Sequence, residues 1–317
     1  MANGKCETFM LDLLATGYPS IDHIVPVSRI PPAGQTALID ALPEAVPVHY
    51  GGCGANVAVG LRRLGFQTGL AMVLGDDDAG GRYRDYLTDE GVDCRDLLML
   101  PQTGTSSSYL FRAPDGEMIN FFYPGAADAW RGALALQTAD ESRWGLVTVG
   151  SLPYNRAFVA ALAAADVPII WQMKADVAAY PAEVLHQFVT ASKIIFCNRL
   201  EATYLVQGLG LATLRALFAH GVEQIIMTLG SDGSQVLTPD DEVHVPSLPA
   251  AVVDTTGAGD GYTAGFLAGC WRGCDPLTCG RLGATAAAFV IEAVGCQTAL
   301  PTWERLQSRF EDNFGAL

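Results

Sequence analysis

An aspartate stands directly behind a Gly-Ala-Gly turn in residues 253–266, VDTTGAGDGYTAGF. Val252 and Val253 close an apolar approach, and after Asp260 small and apolar residues recur at helical spacing as far as Gly273. The spacing predicts that Gly257, Ala258 and Gly259 open a helix, where N–H groups lack intrahelical partners. Those donors and the positive end of the helix dipole make an anion site, and glycine lets a phosphate approach the backbone. A carboxylate at Asp260 gains from the same dipole and stays ionised. Facing a substrate hydroxyl, it could take the proton as that oxygen attacks phosphorus, while the N–H groups stabilise charge on the transferred group. Two other readings stand beside this one. Asp260 could serve only to favour the helix start. A dinucleotide fingerprint is the other, but its third glycine is misplaced here and the turn lies late in the chain.

Three further clusters carry polar chemistry. In HYGGCGANVAVGLRRLG, residues 49–65, Gly51, Gly52 and Gly54 precede Asn56 at a helix start. Bare backbone there admits a polyhydroxylated ligand, and the Asn56 amide can donate to and accept from hydroxyls. A plain glycine turn with an asparagine cap is the alternative. In NRLEA, residues 198–202, Asn198 and Glu201 are three apart after a strand, which suits hydrated Mg²⁺ beside phosphates. A helix cap by Asn198 with Glu201 at the third helical position explains the same spacing. In TLGSDGSQV, residues 228–236, a strand end leads through Gly230, Ser231 and Gly233, as suits ribose and phosphates at the carboxyl edge of a sheet. The acidic GDDDAG, residues 75–80, lacks Ca²⁺-loop spacing and reads as a helix-capping loop.

These pieces need a scaffold that presents strand ends and helix starts together. β-rich runs at 9–17, 68–75, 144–150, 167–173, 192–198 and 223–230 alternate with helical patterns such as 55–65, 79–92 and 156–165. The alternation predicts a mainly parallel sheet with helices on both faces. Residues 258–273, 275–294 and 302–314 read as three closing helices. Residues 23–40, and the Pro-Asp-Gly hairpin at 106–125, are too polar on one face for the main sheet. They predict a small antiparallel sheet acting as a lid, with ordinary edge strands as the alternative.

The 317 residues can share one core, and the expectation is a single domain over 1–317 with a small appendage. Hydrophobic residues are 50% of the chain, which excludes global disorder. The formal net charge is −15 with no basic cluster, which argues against nucleic-acid and anionic-membrane partners. No run approaches the roughly 20 apolar residues of a membrane span, and the N-terminal run around Asp12 reads as a first strand, not a signal peptide. The eight cysteines, Cys6, Cys53, Cys94, Cys197, Cys270, Cys274, Cys279 and Cys296, show no CxxC spacing. They read as buried free thiols of a cytoplasmic protein.

In this order, the four motifs resemble the ribokinase-like, or phosphofructokinase B, sugar kinase family over about residues 10–301. The carrying residues are GGCGANVAVGLRRLG with Gly75 after it, NRLE, TLGSDG and, most specific, DTTGAGDGYTAGFL. The resemblance implies a three-layer α/β/α fold with a mainly parallel central sheet and a β lid often used for homodimer contacts. It implies ATP-dependent phosphorylation of a hydroxyl on a sugar or sugar derivative, with Mg²⁺. By position, Asp260 is similar to the catalytic base, and Gly257, Ala258 and Gly259 to the anion hole. Asp22, Gly52 and Asn56 match substrate contacts, Asn198, Thr228, Gly230, Ser231 and Gly233 match ATP contacts, and Glu201 matches the magnesium-phosphate motif. For a K⁺ loop, Asp254 and Thr256 match two ligands, and Val290, Ala293 and Gly295 could supply carbonyls, but the terminal hydroxyl ligand falls on Ala299.

The chain departs from ribokinase at VGSLPYN, which lacks a substrate-binding acid, and at WQMKAD, which lacks the D-x-N of hexose and sugar-acid kinases. Gln172 and Lys174 alternate there and would reshape the sugar pocket, Lys174 serving a substrate anion or snorkelling at the surface. A nucleoside kinase of the same fold is the alternative and would need an aromatic lid contact, for which Phe111, Phe121 and Phe122 are candidates. A non-catalytic sugar- or nucleotide-binding protein is the third reading.

Overall fold

A computed structural model describes residues 10–174 and 180–317. Cys6, Phe9 of the first predicted strand and the Ala-Asp end of WQMKAD lie outside the described residues. The chain opens with β1 (Leu13–Thr16), β2 (Ser20–Pro26), β3 (Val48–Gly51) and α1 (Cys53–Arg63). It continues through β4 (Thr68–Leu70), β5 (Val73–Gly75), α2 (Asp78–Asp89), β6 (Leu98–Leu100), β7 (Ser107–Arg112), β8 (Met118–Tyr123) and α3 (Gly125–Ala129). Next come β9 (Gly145–Val147), α4 (Leu152–Ala164), β10 (Ile169–Gln172), α5 (Ala182–Ala191), β11 (Ser192–Asn198) and α6 (Arg199–Gly208). The last part holds β12 (Gln224–Thr228), β13 (Ser234–Leu237), β14 (Glu242–Val245), α7 (Ala258–Trp271), α8 (Pro276–Ile291) and α9 (Trp303–Phe314).

The main sheet runs β14-β13-β12-β11-β10-β9-β1-β4. It is parallel from β4 to β12, and β13 and β14 add an antiparallel edge. Its central strands carry apolar residues on both faces, as in Leu13–Ala15 and Ile169–Trp171, because both faces are covered. The pleat sends Leu13, Ala15, Leu146 and Ile170 into a layer with α1, α7 and α8. Leu14, Val147, Ile169 and Trp171 pack the other way, against α4 and α5. This is the expected three-layer arrangement. Among the described residues no helix is long and apolar enough to cross a membrane.

Two expectations change. The run 68–75 is not one strand. The Thr16 hydroxyl donates to the Ala71 carbonyl at 2.6 Å, and the chain leaves the main sheet, so that β5 pairs in parallel with β6 instead. The small sheet, ordered β3-β2-β7-β8, is not wholly antiparallel. β2 and β7 pair in parallel because α1, β4, α2 and β6 intervene between them, which brings β7 in along the same direction. Within residues 23–40, β2 ends at Pro26, and beyond it a single bridge joins Val27 to Ile39. The fourth strand is β3, from the segment read only as a glycine turn. The Asp-rich loop is a helix cap, with Asp77 accepting the Gly80 N–H at 2.7 Å.

Candidate active site

The start of α7 supplies the centre. Gly257 is its N-cap at φ +81°, and a Cβ there would stand 2.8 Å from the Cβ of Cys296, so both backbone and space call for glycine. Gly257, Ala258, Gly259 and Asp260 line a cavity of about 320 Å³ together with Gln172, Lys174, Asn198, Glu201 and Thr228. Of the three expected anion-hole donors, the Ala258 N–H reaches the Thr255 carbonyl at 3.2 Å.

Asp260 is 5% exposed. The Asn56 amide, from α1, donates to its Oδ2 at 2.7 Å, and the Gln172 amide, from the end of β10, donates to Oδ1. Burial pushes the carboxyl above its ordinary range, while the two amides and the Lys174 charge oppose that rise. Gln297 holds Asn56 from behind, its Nε2 donating to Asn56 Oδ1 at 2.8 Å.

A second cavity of about 200 Å³ meets the first one at Asp260, Cys53, Lys174 and Gly257. Asp22, Gly52 and Asn56 all line it. Strand register sets Asp22 of β2 beside Ser108 of β7. The Ser20 hydroxyl donates to Asp22, and the two serine oxygens lie 3.0 Å apart. A Cβ on Gly51 would lie 2.3 Å from Asp22 Oδ2, so this glycine makes room for the carboxylate. Burial raises the Asp22 carboxyl to about 6, against the pull of the Ser20 and Ser108 hydroxyls. Above it stand Tyr18 and Phe122, edge to face at 5.0 Å between ring centroids, with Asn120 beside them. Of the three lid aromatics, Phe122 alone lines the cavity. Phe121 points to the other face, 61% exposed, and packs edge to face with Phe111.

On the far side, a cavity of about 420 Å³ shares Thr228, Thr255, Ala258 and Gly259 with the central one. Gly230, Ser231 and Gly233 border it, and Leu248, Val252, Ala287 and Ile291 give it apolar walls suited to a planar ring. Asn198 and Glu201 form the capping box: Asn198 Oδ1 accepts the Glu201 N–H at 2.9 Å, and Glu201 Oε2 accepts the Asn198 N–H at 2.6 Å. The cap places both residues on the central cavity wall. That wall fits Mg²⁺, which keeps several waters and needs one or two protein oxygens beside phosphates.

The proposed cation residues come together too. Asp254 Oδ1 accepts from the Thr256 hydroxyl at 2.8 Å and its N–H at 3.1 Å, and Oδ2 accepts the Gly295 N–H at 3.1 Å. The Val290 carbonyl accepts the Ala293 N–H at 3.3 Å. Asp254 thus ties the loop before α7 to the loop after α8, and the Val290 carbonyl at the end of α8 is already used.

Sequence reading missed Tyr18, Ser20, Cys53, Ser108, Asn120 and Gln297. For Asn120 a signal existed: it alternates with Phe122 along β8, so one face of that strand carries both. The amide of Gln172, expected to reshape the sugar pocket, is bonded to Asp260.

Residues 10–303 match the profile described as pfkB family carbohydrate kinase. A nucleoside kinase of Methanocaldococcus jannaschii is 30% identical over 309 residues, covering 97% of this chain and 98% of the relative. A crystal structure of a nucleoside kinase from that organism superposes with a TM-score of 0.85 at 28% identity, covering 96% of this chain and 99% of that one. The nucleoside kinase of Burkholderia thailandensis in complex with inosine gives 0.84 at 25% identity, with 96% and 98% covered. The protein is therefore an enzyme, a kinase acting on a sugar or sugar derivative, and it belongs to the pfkB family of carbohydrate kinases.

Proposed function

We propose that the acceptor is a nucleoside and that ATP phosphorylates a hydroxyl of its ribose. One observation carries this reading. The Tyr18–Phe122 aromatic pair and the Asn120 amide stand beside the polar floor of Asp22, Ser20 and Asn56. A free pentose has nothing to place against two rings, whereas a nucleobase stacks there and meets an amide at its edge. The likeness to nucleoside kinases supports the same assignment.

In this reading residues 1–317 act as one catalytic unit. Asp22 and Asn56 hold ribose hydroxyls. Asp260 takes the proton of the attacking hydroxyl. The N–H groups of Gly257 and Gly259, joined by that of Ala258 when phosphate replaces the Thr255 carbonyl, receive charge on the transferred phosphoryl group. Thr228, Gly230, Ser231 and Gly233 border the nucleotide, with Asn198 and Glu201 on the phosphate side. Mg²⁺ held there supplies neutralisation of phosphate charge. The Asp254–Thr256 loop against Val290, Ala293 and Gly295 is our assignment for a K⁺ ion. The lid covers the acceptor and limits attack by water.

Ile119, Phe121 and Tyr123 expose apolar surface on the outer face of the lid strand β8, and we assign that face to a second copy of the chain; a monomer by sedimentation equilibrium at micromolar protein would remove this assignment. The seven cysteines among the described residues are free thiols, which supports a cytoplasmic setting.

ADP release measured with inosine, adenosine, guanosine, cytidine, uridine, ribose and fructose tests the substrate class. Nucleosides are expected to exceed the free sugars in kcat/KM by at least about tenfold, in line with one stacked ring. A free sugar turned over best would overturn the nucleoside reading and leave the kinase assignment standing.

A further inference from the structure

Two glutamines converge on the base, Gln172 directly and the buried Gln297 through Asn56. A carboxylate only accepts hydrogen bonds, so Asn56 and Gln172 must each turn an N–H₂ toward Asp260. With its nitrogen spent, Asn56 presents Oδ1 to the opposite side, where Gln297 Nε2 donates at 2.8 Å. The direction of each amide is thereby set in series from Asp260 outward. Gln172 Oε1 and Gln297 Oε1 are buried without partners among the described residues, as follows when the donor ends alone dictate orientation. The outer end is anchored as well. The Gln297 carbonyl accepts Arg63 Nη1 at 2.8 Å, and Arg63 forks onto Glu90 through Nε at 2.9 Å and Nη2 at 2.5 Å. The inner end, Gln172, closes a central strand of the main sheet.

We propose that Gln172 and Gln297 are positioning residues of the phosphoryl-transfer reaction, forming with Asn56 a directional amide relay that holds the Asp260 carboxylate in one orientation. The proposal rests on Asp260 being the base. Each carboxylate oxygen keeps a lone pair when one amide is bound, so the relay leaves room for the substrate hydroxyl. Charge-assisted donors also favour the ionised carboxylate, against the burial that disfavours it. The other groups facing Asp260 are the Cys53 thiol from α1, Lys174 after β10 and the Cys296 thiol after α8; none is altered in the test.

The test uses full-length Gln172→Met and Gln297→Met, each of which keeps bulk and removes the donor. The pH dependence of kcat is measured at saturating ATP and the fastest nucleoside, so that Asp22, which acts on binding, stays out of the profile. Loss of one donor to a charged acceptor should move the acid limb up by about one pH unit in Gln172→Met. Gln297→Met, acting through Asn56, should move it less and in the same direction, with the KM for ATP unchanged. Infrared difference titration of the ligand-free protein, with the Asp260 band identified by its loss in Asp260→Asn, should show the same order. It reads the relay whatever the substrate class proves to be. Unshifted limbs and unshifted infrared titrations in both variants, at wild-type melting temperature, overturn the proposal, as does lowered kcat without a shift. Turnover retained by Asp260→Asn would overturn the base assignment itself.

Discussion

The two sides of the reaction centre are built from different material. On the nucleotide side the wall is mostly backbone and apolar surface: the start of α7, the turn through Gly230, Ser231 and Gly233, and the small residues of α8. On the acceptor side it is side chains delivered by separate elements, namely Asp22 from β2, Ser108 from β7, Asn120 and Phe122 from β8, and Asn56 from α1. Under the proposed function, the first side recognises what every ATP-like donor has, a planar base and anionic oxygens. The second discriminates, and four of its residues sit on a sheet that can be varied without disturbing the main core. Under the proposed function, the difference assigns the reaction to the main sheet and its helices, and the choice of acceptor to the lid.

Asp260 belongs to both sides, and breaking it should have the largest effect. Asp260→Asn should lower kcat by about 10²–10⁴-fold while ATP binding, read by calorimetry, stays within a few-fold. If ATP affinity falls as steeply as turnover, the two sides are not separable. Phe122→Ala sharpens the comparison from the lid. It should raise the KM for a nucleoside about tenfold, the worth of one stacked base, with kcat and the KM for ATP nearly unchanged. An equal rise in the ATP KM would contradict the division.

The smallest expected effect on turnover concerns Asp22. Its carboxyl titrates near 6, so acceptor KM should climb as pH falls below that value, because a protonated acid accepts fewer ribose hydroxyls. The stability sign follows from the same shift. The folded pKa exceeds the unfolded 3.8, so the folded state holds the proton more tightly. The stabilisation is full below about 3.8 and is lost as pH rises through about 6. At pH 7 the buried charge costs up to about 3 kcal/mol. Asp22→Asn should therefore melt higher than the parent at pH 7, converge with it near pH 4, and bind acceptor poorly. Equal melting temperatures at pH 7 would show that the serine hydroxyls fully offset burial.

Legibility in the sequence divides along the same line. The start of α7, the Asn198–Glu201 cap and the Gly230 turn were readable, because each is a run of neighbours whose geometry the local backbone decides. The cap also shows the limit of such reading: NRLE was open between a metal wall and a helix cap, and folding made the cap the means of presenting the wall. The order of the main strands was largely visible as alternating apolar runs. The break of 68–75 was not, since it depends on the Thr16 hydroxyl taking a carbonyl 55 residues away.

By itself, the sequence determined that this protein is a kinase and marked the helix start to which we assign the transfer, because a helix start with bare glycines and one acid is a local object. Tertiary structure alone decided which aromatic faces the acceptor, that β2 meets β7 in parallel, and how the base is held. Those contacts join Asn56 to Asp260 across 204 residues and Gln297 to Asn56 across 241. No local propensity encodes such pairings; they exist only once the sheet and its helices have packed.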